Sequence, residues 1–245
     1  MTAFTSFQTV LPDPNNGVAS GGQVSSSAGD KGPGFASISI TSGTPIQVSR
    51  TNSGRVISRS AAGHKYEIKI EYNPMTREQF EPVYSFLQQQ NGRLNPFFIE
   101  LPQQYTSRSS TFASYASSNT ISNVGTLTQG SDFMVQAGHS TDQSKNPQIG
   151  DMFTITDTND SLHKKAYRVT RVMVRDTYHS GLHSNPTTAQ RIVYFNPPLQ
   201  RKVEPTQTID YTPKIRVILK NDIQSYSLGT NNLFSFSLDL EEAQA

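Results

Sequence analysis

The sequence predicts a mainly β protein with one principal helix, in which a small β-barrel domain is inserted into a discontinuous β domain. Hydrophobic residues make up 34% and charged residues 16% of the 245 residues, so the remainder is rich in Ser, Thr, Asn, Gln and Gly. This composition is typical of strands and loops. Several short segments alternate apolar and polar side chains, which is the period of a half-buried strand. Only one segment has convincing helical periodicity.

The clearest strands lie in 66–72 and 233–240, and they share one pattern. In each, every second side chain is apolar, while the side chains between them are charged or hydroxyl-bearing. We expect the apolar positions to face a core: Tyr66, Ile68, Ile70, Tyr72, Phe234, Phe236, Leu238 and Leu240. Because the patterns match, we expect the carboxy-terminal strand and a strand at 214–220 to return to the sheet that 66–72 forms.

The principal helix is predicted in 76–92. Its Thr76 and Gln79 have the spacing of a capping box, and Gly92 suits a helix stop. Pro82 lies beyond the first turn, so the helix either kinks there or begins near Pro82. The face expected to pack on a sheet carries Phe80, Val83, Tyr84 and Leu87.

These elements divide the chain into three parts. Residues 1–34, rich in Pro, Asn, Gly and Ser, are predicted to be a flexible amino-terminal arm that is either a disordered tail or orders on a neighbouring subunit. Residues 35–102 and 214–245 form the discontinuous β domain, with further strands at 35–40, 46–49 and 95–101. Residues 103–213 form the inserted barrel or sandwich.

The predicted insertion begins with a connector rich in Ser, Thr and Tyr over 103–119. Short apolar segments separated by polar turns follow it, as in small barrels and sandwiches. These segments are 121–127, 133–135, 150–155, 166–174 and 191–195.

The sequence gives no support for catalysis, a cofactor or a metal. Phosphate loops, the dinucleotide glycine fingerprint, the zinc-protease motif and the nucleophile elbow are absent from the sequence. With no Cys, thiolate zinc sites, thiol nucleophiles and disulfides are also excluded. We therefore expect no enzyme and assign no catalytic, cofactor-binding or metal-binding residue.

Three weaker constellations of polar residues remain. His179 and His183 are four residues apart, as in metal-binding helices, but Gly181 between them favours a loop. Asp157 and Asp160 cluster oxygens without the calcium-loop pattern, and we expect a hairpin turn there. The carboxylate pairs, which could act as acid and base only in a cleft, are expected to be solvated surface; they are Glu78 with Glu81 and Glu241 with Glu242.

Charge and hydropathy limit the partners. The net charge of +2 comes from scattered Lys and Arg, without a basic block that would indicate a nucleic-acid arm or a membrane-surface helix. The amino terminus lacks the features of a secretory signal, and no stretch approaches about 18 apolar residues. We expect a soluble, unexported protein.

Three passages of the chain follow a recognisable order of elements. They are 63–72 with 86–102; Gly150-Asp151, 167–172 and 194–199; and 223–243. In this order the chain resembles the distal tail and baseplate-hub proteins of tailed bacteriophages, whose core is the tail-tube fold. The first passage is similar to that family's strand, helix, Gly turn and Pro-Phe strand, the second to its inserted domain, and the third to its closing strand.

This resemblance implies a tail-tube-like β-sandwich or barrel domain with an inserted β-barrel. It also implies self-association into a ring, usually a hexamer, that joins the tail tube to the tail tip in the virion. Expected partners are tail-tube and baseplate or hub proteins, with DNA only as cargo passing through the channel, and assembly would take place in the host cytoplasm. The alternatives are a carbohydrate- or receptor-binding tail module and, with least support, a polysaccharide hydrolase.

Overall fold

The computed structural model describes residues 10–12, 35–60, 63–101, 104, 106–160, 163–178, 180–222 and 225–243. The protein is mainly β, with about 40% of its residues in strands. It divides into two compact units. The first contains the described residues up to Ile99 together with Arg216–Ala243, and the second is Glu100–Ile215. The second unit therefore lies in the sequence between two segments of the first.

The first unit is built on one sheet in which β1 (Phe35–Gly43), β4 (Lys65–Tyr72), β14 (Phe234–Glu242), β12 (Ile215–Leu219) and β5 (Phe97–Ile99) lie side by side in that order. A short strand, β13 (Tyr226–Leu228), pairs with the first half of β14. β2 (Ile46–Arg50) and β3 (Val56–Ser60) form a separate two-stranded hairpin. The central pairing joins β4 to β14, with Leu238 opposite Ile70 and Leu240 opposite Ile68.

The principal helix α1 (Arg77–Gln89) packs its apolar face against this sheet. Phe80 stacks on Phe234 with ring centroids 4.5 Å apart, and Phe86 meets Phe97 edge to face at 5.4 Å. Pro82 lies inside a continuous helix. Its missing N–H would have bonded to the carbonyl of residue 78 in the exposed first turn, where water can replace that bond.

The start and end of α1 follow the predicted local signals. At the start, the Thr76 N–H donates to the Gln79 side chain at 3.1 Å. At the end, Asn91 and Gly92 both adopt left-handed backbone conformations, with φ of 53° and 67°. A Cβ at Gly92 would lie 3.1 Å from the Asp222 carboxylate, so both backbone conformation and space favour glycine there.

Three residues of the segment predicted to be a flexible arm are described, and they pack on the first unit. Val10 forms a parallel bridge with Phe98 in β5, and the Leu11 N–H donates to the Phe98 carbonyl at 2.8 Å. Leu11 is 4% exposed, and removing its large apolar side chain from water stabilises this contact. Residues 1–9 and 13–34, on which the rest of that prediction falls, lie outside the described residues.

The second unit is a closed antiparallel barrel of six strands. Around the barrel, each strand pairs with the next and the last with the first: β10 (Arg191–Asn196), β7 (Phe133–Ala137), β6 (Ile121–Asn123), β11 (Thr208–Asp210), β8 (Met152–Thr156) and β9 (Ala166–Met173). Its core is aromatic and aliphatic, and Phe153, Tyr167 and Val193 in it are fully buried. Closure removes the free strand edges of this sheet.

A second helix, α2 (Ser110–Ser118), precedes the first barrel strand. The Ser109 hydroxyl caps it by accepting from the Phe112 N–H at 3.3 Å. Phe112 is fully buried and meets Tyr211 edge to face at 4.8 Å. Close to it, Gly138 follows β7 at φ 85°, and a Cβ there would lie 2.3 Å from the Thr120 carbonyl, so only glycine fits.

The structure confirms the alternating strands and corrects the elements without a strong period. The four predicted apolar positions on β4 are buried, as are Phe236, Leu238 and Leu240 on β14, and β12 and β14 return to the sheet of β4. The 103–119 segment is not wholly a connector, because it contains α2. Three strands were not predicted: β3, β11 and β13. They are short or lack alternation, so local pattern does not distinguish them from loops.

Replacing Phe112 with Ala should reduce the free energy of unfolding by about 3–5 kcal/mol, because it removes a fully buried ring from the barrel core. Urea unfolding of the full chain measures this loss. Ser114→Ala, an exposed change on the same helix, is the control and should cost less than about 0.5 kcal/mol. Equal effects of the two changes would contradict the placement of Phe112 in the core.

Candidate assembly surfaces

The β2–β3 hairpin exposes its aliphatic side chains. Ile46, Val48, Val56 and Ile57 are between 53% and 61% exposed. In the strand register Val48 lies opposite Ser58 and Arg50 opposite Val56, so Ile46, Val48 and Val56 share one face. An isolated two-stranded hairpin is marginally stable in water, and an exposed apolar face adds to its cost. This hairpin, residues 46–60, therefore has the character of a contact element.

The outer edge of β1 is a second surface suited to assembly. β1 is the terminal strand of the sheet, and on its other side it pairs with no strand of the described chain. Its nine residues, Phe35–Gly43, include neither a charged side chain nor a proline. Charges, prolines and coverage by other segments are the usual means of blocking an edge strand. At the opposite end of the sheet, Val10 covers β5.

The sheet face that α1 does not cover is polar, and its charges are paired. Lys69 lies 3.0 Å from Glu71, Lys220 lies 2.9 Å from Glu67, and Arg93 lies 3.2 Å from Glu241. The Glu71 carboxylate raises the pKa of Lys69 through a hydrogen bond and its charge. We call this surface the paired-charge face. It is exposed to solvent. Its net charge is close to zero, because each of these carboxylates has a cation beside it.

The barrel interior contains a polar cluster that serves the fold. The Tyr211 hydroxyl donates to Gln136 Oε1 at 2.7 Å, and His139 Nε2 lies 3.0 Å from the same oxygen. Since that oxygen only accepts, Nε2 carries the proton. Burial, and secondarily the charge of Arg191, lowers the pKa of His139 to about 3. His139 is therefore neutral at ordinary pH.

Arg191 is the most deeply buried cation among the described residues, at 1% exposed. Its guanidinium donates to the carbonyl oxygens of Ser140, Thr188 and Gln190 at 2.7 to 2.9 Å. These bonds tie together the loops that follow β7 and precede β10. The Arg191 guanidinium therefore has a structural role in fixing these two loops.

Those histidine and aspartate candidates that the structure describes lie in loops of the second unit. His179 lies outside them, so the His179–His183 spacing is not tested. His183 is half-buried, bonds through Nε2 to the Tyr194 hydroxyl and packs edge to face on Phe133 at 4.5 Å. The Asp157 carboxylate accepts the N–H groups of Asn159 and Asp160, at 2.8 and 3.2 Å, which is a turn-stabilising arrangement.

The carboxylate pairs differ from one another. Glu78 and Glu81 are exposed on α1, as predicted, and Glu81 pairs with Arg77 at 2.9 Å. The expectation of a solvated surface is wrong for Glu242, which is 2% exposed. Its Oε2 accepts the Tyr66 N–H at 3.1 Å. Glu242 ends the alternating run of β14 on the buried face, so its position in the period decides its burial.

Within the described residues, no group of three or more His, Asp or Glu side chains is placed to hold a metal ion. Neither of the described helices has the length and apolar character that crossing a membrane requires. No family model and no curated protein matches the sequence. The chain is therefore classified by its architecture, as a mainly β protein with a closed six-stranded barrel.

The sequence also carries a signal for the hairpin turn. Residues 51–54 are Thr-Asn-Ser-Gly between two β-branched segments, which is typical of a hairpin turn. In the structure the Gly54 N–H donates to the Thr51 carbonyl at 2.9 Å, and Gly54 has φ of 81°. The aliphatic pair Val56-Ile57 after this turn could have been assigned to a strand.

The buried cluster predicts a pH dependence of stability. The unfolded chain takes up a proton on His139 near its ordinary pKa of 6.5, whereas the folded chain does so only near 3. Stability from neutral His139 is therefore present above about pH 6.5 and lost as the pH falls toward 3, by up to about 1.4 kcal/mol per pH unit. In urea unfolding at pH 7.5, 5.5 and 4.5, His139→Gln should lose less stability on acidification than the original chain.

Tyr211→Phe is the control for this experiment. It removes a hydrogen bond to the same Gln136 oxygen, but burial raises the pKa of Tyr211, so this group does not titrate in acid. Its unfolding free energy should fall by about 1 kcal/mol at every pH, parallel to that of the original chain. A His139→Gln curve that is also parallel would show that His139 is not the titrating group.

Proposed function

We propose that this chain is a ring-forming structural component of a bacteriophage tail, a distal tail or baseplate-hub protein with a tail-tube-like first unit and an inserted barrel. In this function the ring joins the tail tube to the tail tip around the DNA channel. The observation that carries the proposal is an exposed aliphatic hairpin in the same unit as a sheet edge that has no charged residue and pairs with no strand of the described residues. Both features favour association with other chains over a monomeric state in solution.

The distribution of these surfaces supports a structural role. A strand edge that neither charge nor proline blocks is suited to pair with another chain, and the hairpin supplies apolar area that such a contact would bury. Repetition by rotation of one contact between two different surfaces forms a closed ring. The polar groups of the barrel, including His139 and Arg191, are engaged in holding the fold.

The paired-charge face suits a channel through which DNA passes. A strongly basic lining would bind phosphates and hold the genome, because phosphate contacts dominate affinity for nucleic acid. Here Lys69, Lys220 and Arg93 are each neutralised by a neighbouring carboxylate. We therefore place this face toward the channel.

Purified protein should form rings. Negative-stain or cryo electron microscopy should show particles with a central hole, and light scattering should give about 160 kDa for six copies of the 27.0 kDa chain. The same measurement should be repeated with tail-tube and hub proteins, because a partner ring can template assembly. Strict monomers at all concentrations, with no tail partner bound, would overturn the proposed function.

The assembled protein should not retain DNA. In a gel-shift experiment with double-stranded DNA at about 0.15 M salt, we expect no complex, since the paired-charge face presents little net positive charge. Glu67→Lys with Glu241→Lys should increase affinity by about tenfold or more, and high salt should abolish the gain.

The control carries the same change of charge elsewhere. Asp142→Lys with Glu204→Lys makes the same change of charge on the second unit, outside the paired-charge face, and should raise DNA affinity less. If the original chain already binds DNA tightly at this salt concentration, the assignment of a neutral channel face is wrong.

A further inference from the structure

An open groove of about 530 Å³ lies between α1 and the β13–β14 ribbon of the first unit. Phe80 and Phe234 stack at its base with an interplanar angle of 7°. Tyr84 and Tyr226 meet edge to face, with centroids 5.2 Å apart, and Leu228 lies at the lip. We call this the aromatic groove.

The aromatic groove leaves apolar surface in water. Tyr226 is 49% exposed and Leu228 56% exposed, although they border a well-packed aromatic cluster. Concave sites lined by aromatic side chains with a few polar groups are typical binding sites, and Tyr is enriched where contacts between proteins are strongest. Ser85, Gln88 and Asn232 supply the uncharged polar groups of this lining.

The same unit carries a second exposed apolar surface, that of the hairpin. The hairpin presents Ile46, Val48 and Val56 on one face, all more than half exposed. Each of its strands is five residues long, or about 17 Å, which is comparable in scale with a groove along three turns of a helix. The hairpin and the groove are therefore two exposed apolar surfaces that one contact would bury.

Charge also favours this pairing. The hairpin carries Arg50, Arg55 and Arg59 and no acidic residue, and in the described part of the chain none of the three has a carboxylate at ion-pair distance. At the groove, Arg77 and Glu81 pair with each other, and Glu78 is exposed one turn away. The groove lining itself is therefore neutral, and the carboxylate of Glu78 lies just outside it. The tyrosine rings of the lining are surfaces on which arginine stacks well.

We propose that the hairpin of one copy docks in the aromatic groove of the next copy. This inference rests on the proposed function and deepens it by naming the two surfaces in contact. Both surfaces are exposed within a single chain, so the contact joins separate copies. Because the hairpin and the groove are different surfaces, the contact is head-to-tail, and head-to-tail contacts close into rings or extend into filaments.

Disulfide trapping tests this contact directly, because the chain has no Cys of its own. The full chain would carry Val48→Cys together with Leu228→Cys, and mild oxidation would be followed by non-reducing electrophoresis. Disulfides form only between Cα atoms within about 7 Å, so the proposed contact should give a ladder of covalent oligomers. On the gel, each single variant alone should migrate as an uncrosslinked monomer. A mixture of the two single variants should give mainly covalent dimers.

Val48→Cys with Leu94→Cys is the matched control, since Leu94 is also a highly exposed leucine of the first unit, at 73%. It should give several-fold less crosslinking than the hairpin–groove pair. Equal yields would overturn the inference, and so would a fast-migrating monomer, which would indicate contact within one chain.

Microscopy of the original chain separates this inference from the proposed function. Rings without the hairpin–groove crosslink would leave the proposed function standing and overturn the docking contact, assigning the groove to a tail partner. Absence of oligomers and of tail-partner binding would overturn both. A second variant, Tyr226→Ala, carries no added Cys. If the groove is the contact, its fraction of oligomer should be about tenfold lower than that of the original chain. An unchanged fraction would count against the contact.

Discussion

The pairing of β4 with β14 is the constraint on which the first unit depends. It brings together strands more than 150 residues apart and places Ile68 and Ile70 opposite Leu240 and Leu238. The bond from the Tyr66 N–H to the Glu242 side chain lies at the end of the same pairing. A slip of one residue would turn the apolar side chains of one of the two strands toward water. The sheet, the packing of α1 and the position of β13 all follow from this register, and with them the aromatic groove.

The two units solve the problem of strand edges differently. The barrel closes on itself, so its six strands have no free edge, and its buried polar groups find partners such as Gln136 and the loop carbonyls. The first unit keeps an open sheet with an uncharged edge and a hairpin whose aliphatic residues are exposed. Surfaces that gain by association are therefore concentrated in the first unit.

How well each element could be predicted depends on how its burial repeats along the sequence. β4 and β14 bury every second residue, and α1 buries residues at helical spacing, so their patterns predicted them. α2 buries Phe112 alone, and its remaining residues are mostly Ser and Ala, which leaves no period to detect. The hairpin is exposed on both faces, so its residues show no burial pattern from which a strand could be predicted.

Contact residues were harder to predict than core residues for a related physical reason. Tyr226 and Leu228 lie in a three-residue strand held only by β14, so their exposure follows from long-range pairing rather than from neighbours in sequence. The prediction that the paired carboxylates are solvated surface failed at Glu242. The apolar side chains of β14 end at Leu240, but the alternation of buried and exposed positions continues to Glu242. Period, rather than residue type, decided burial at that position.

The asymmetry of the open sheet favours a directional assembly. At β5 the edge is covered by Val10, while no strand of the described residues pairs with the outer edge of β1. If both edges were free, unlimited stacking of sheets would compete with any defined assembly. With one edge covered, growth by edge pairing stops after a single contact, so repeated association needs a second pair of surfaces. The hairpin and the aromatic groove are such a pair, and because they differ from each other they give the assembly a direction.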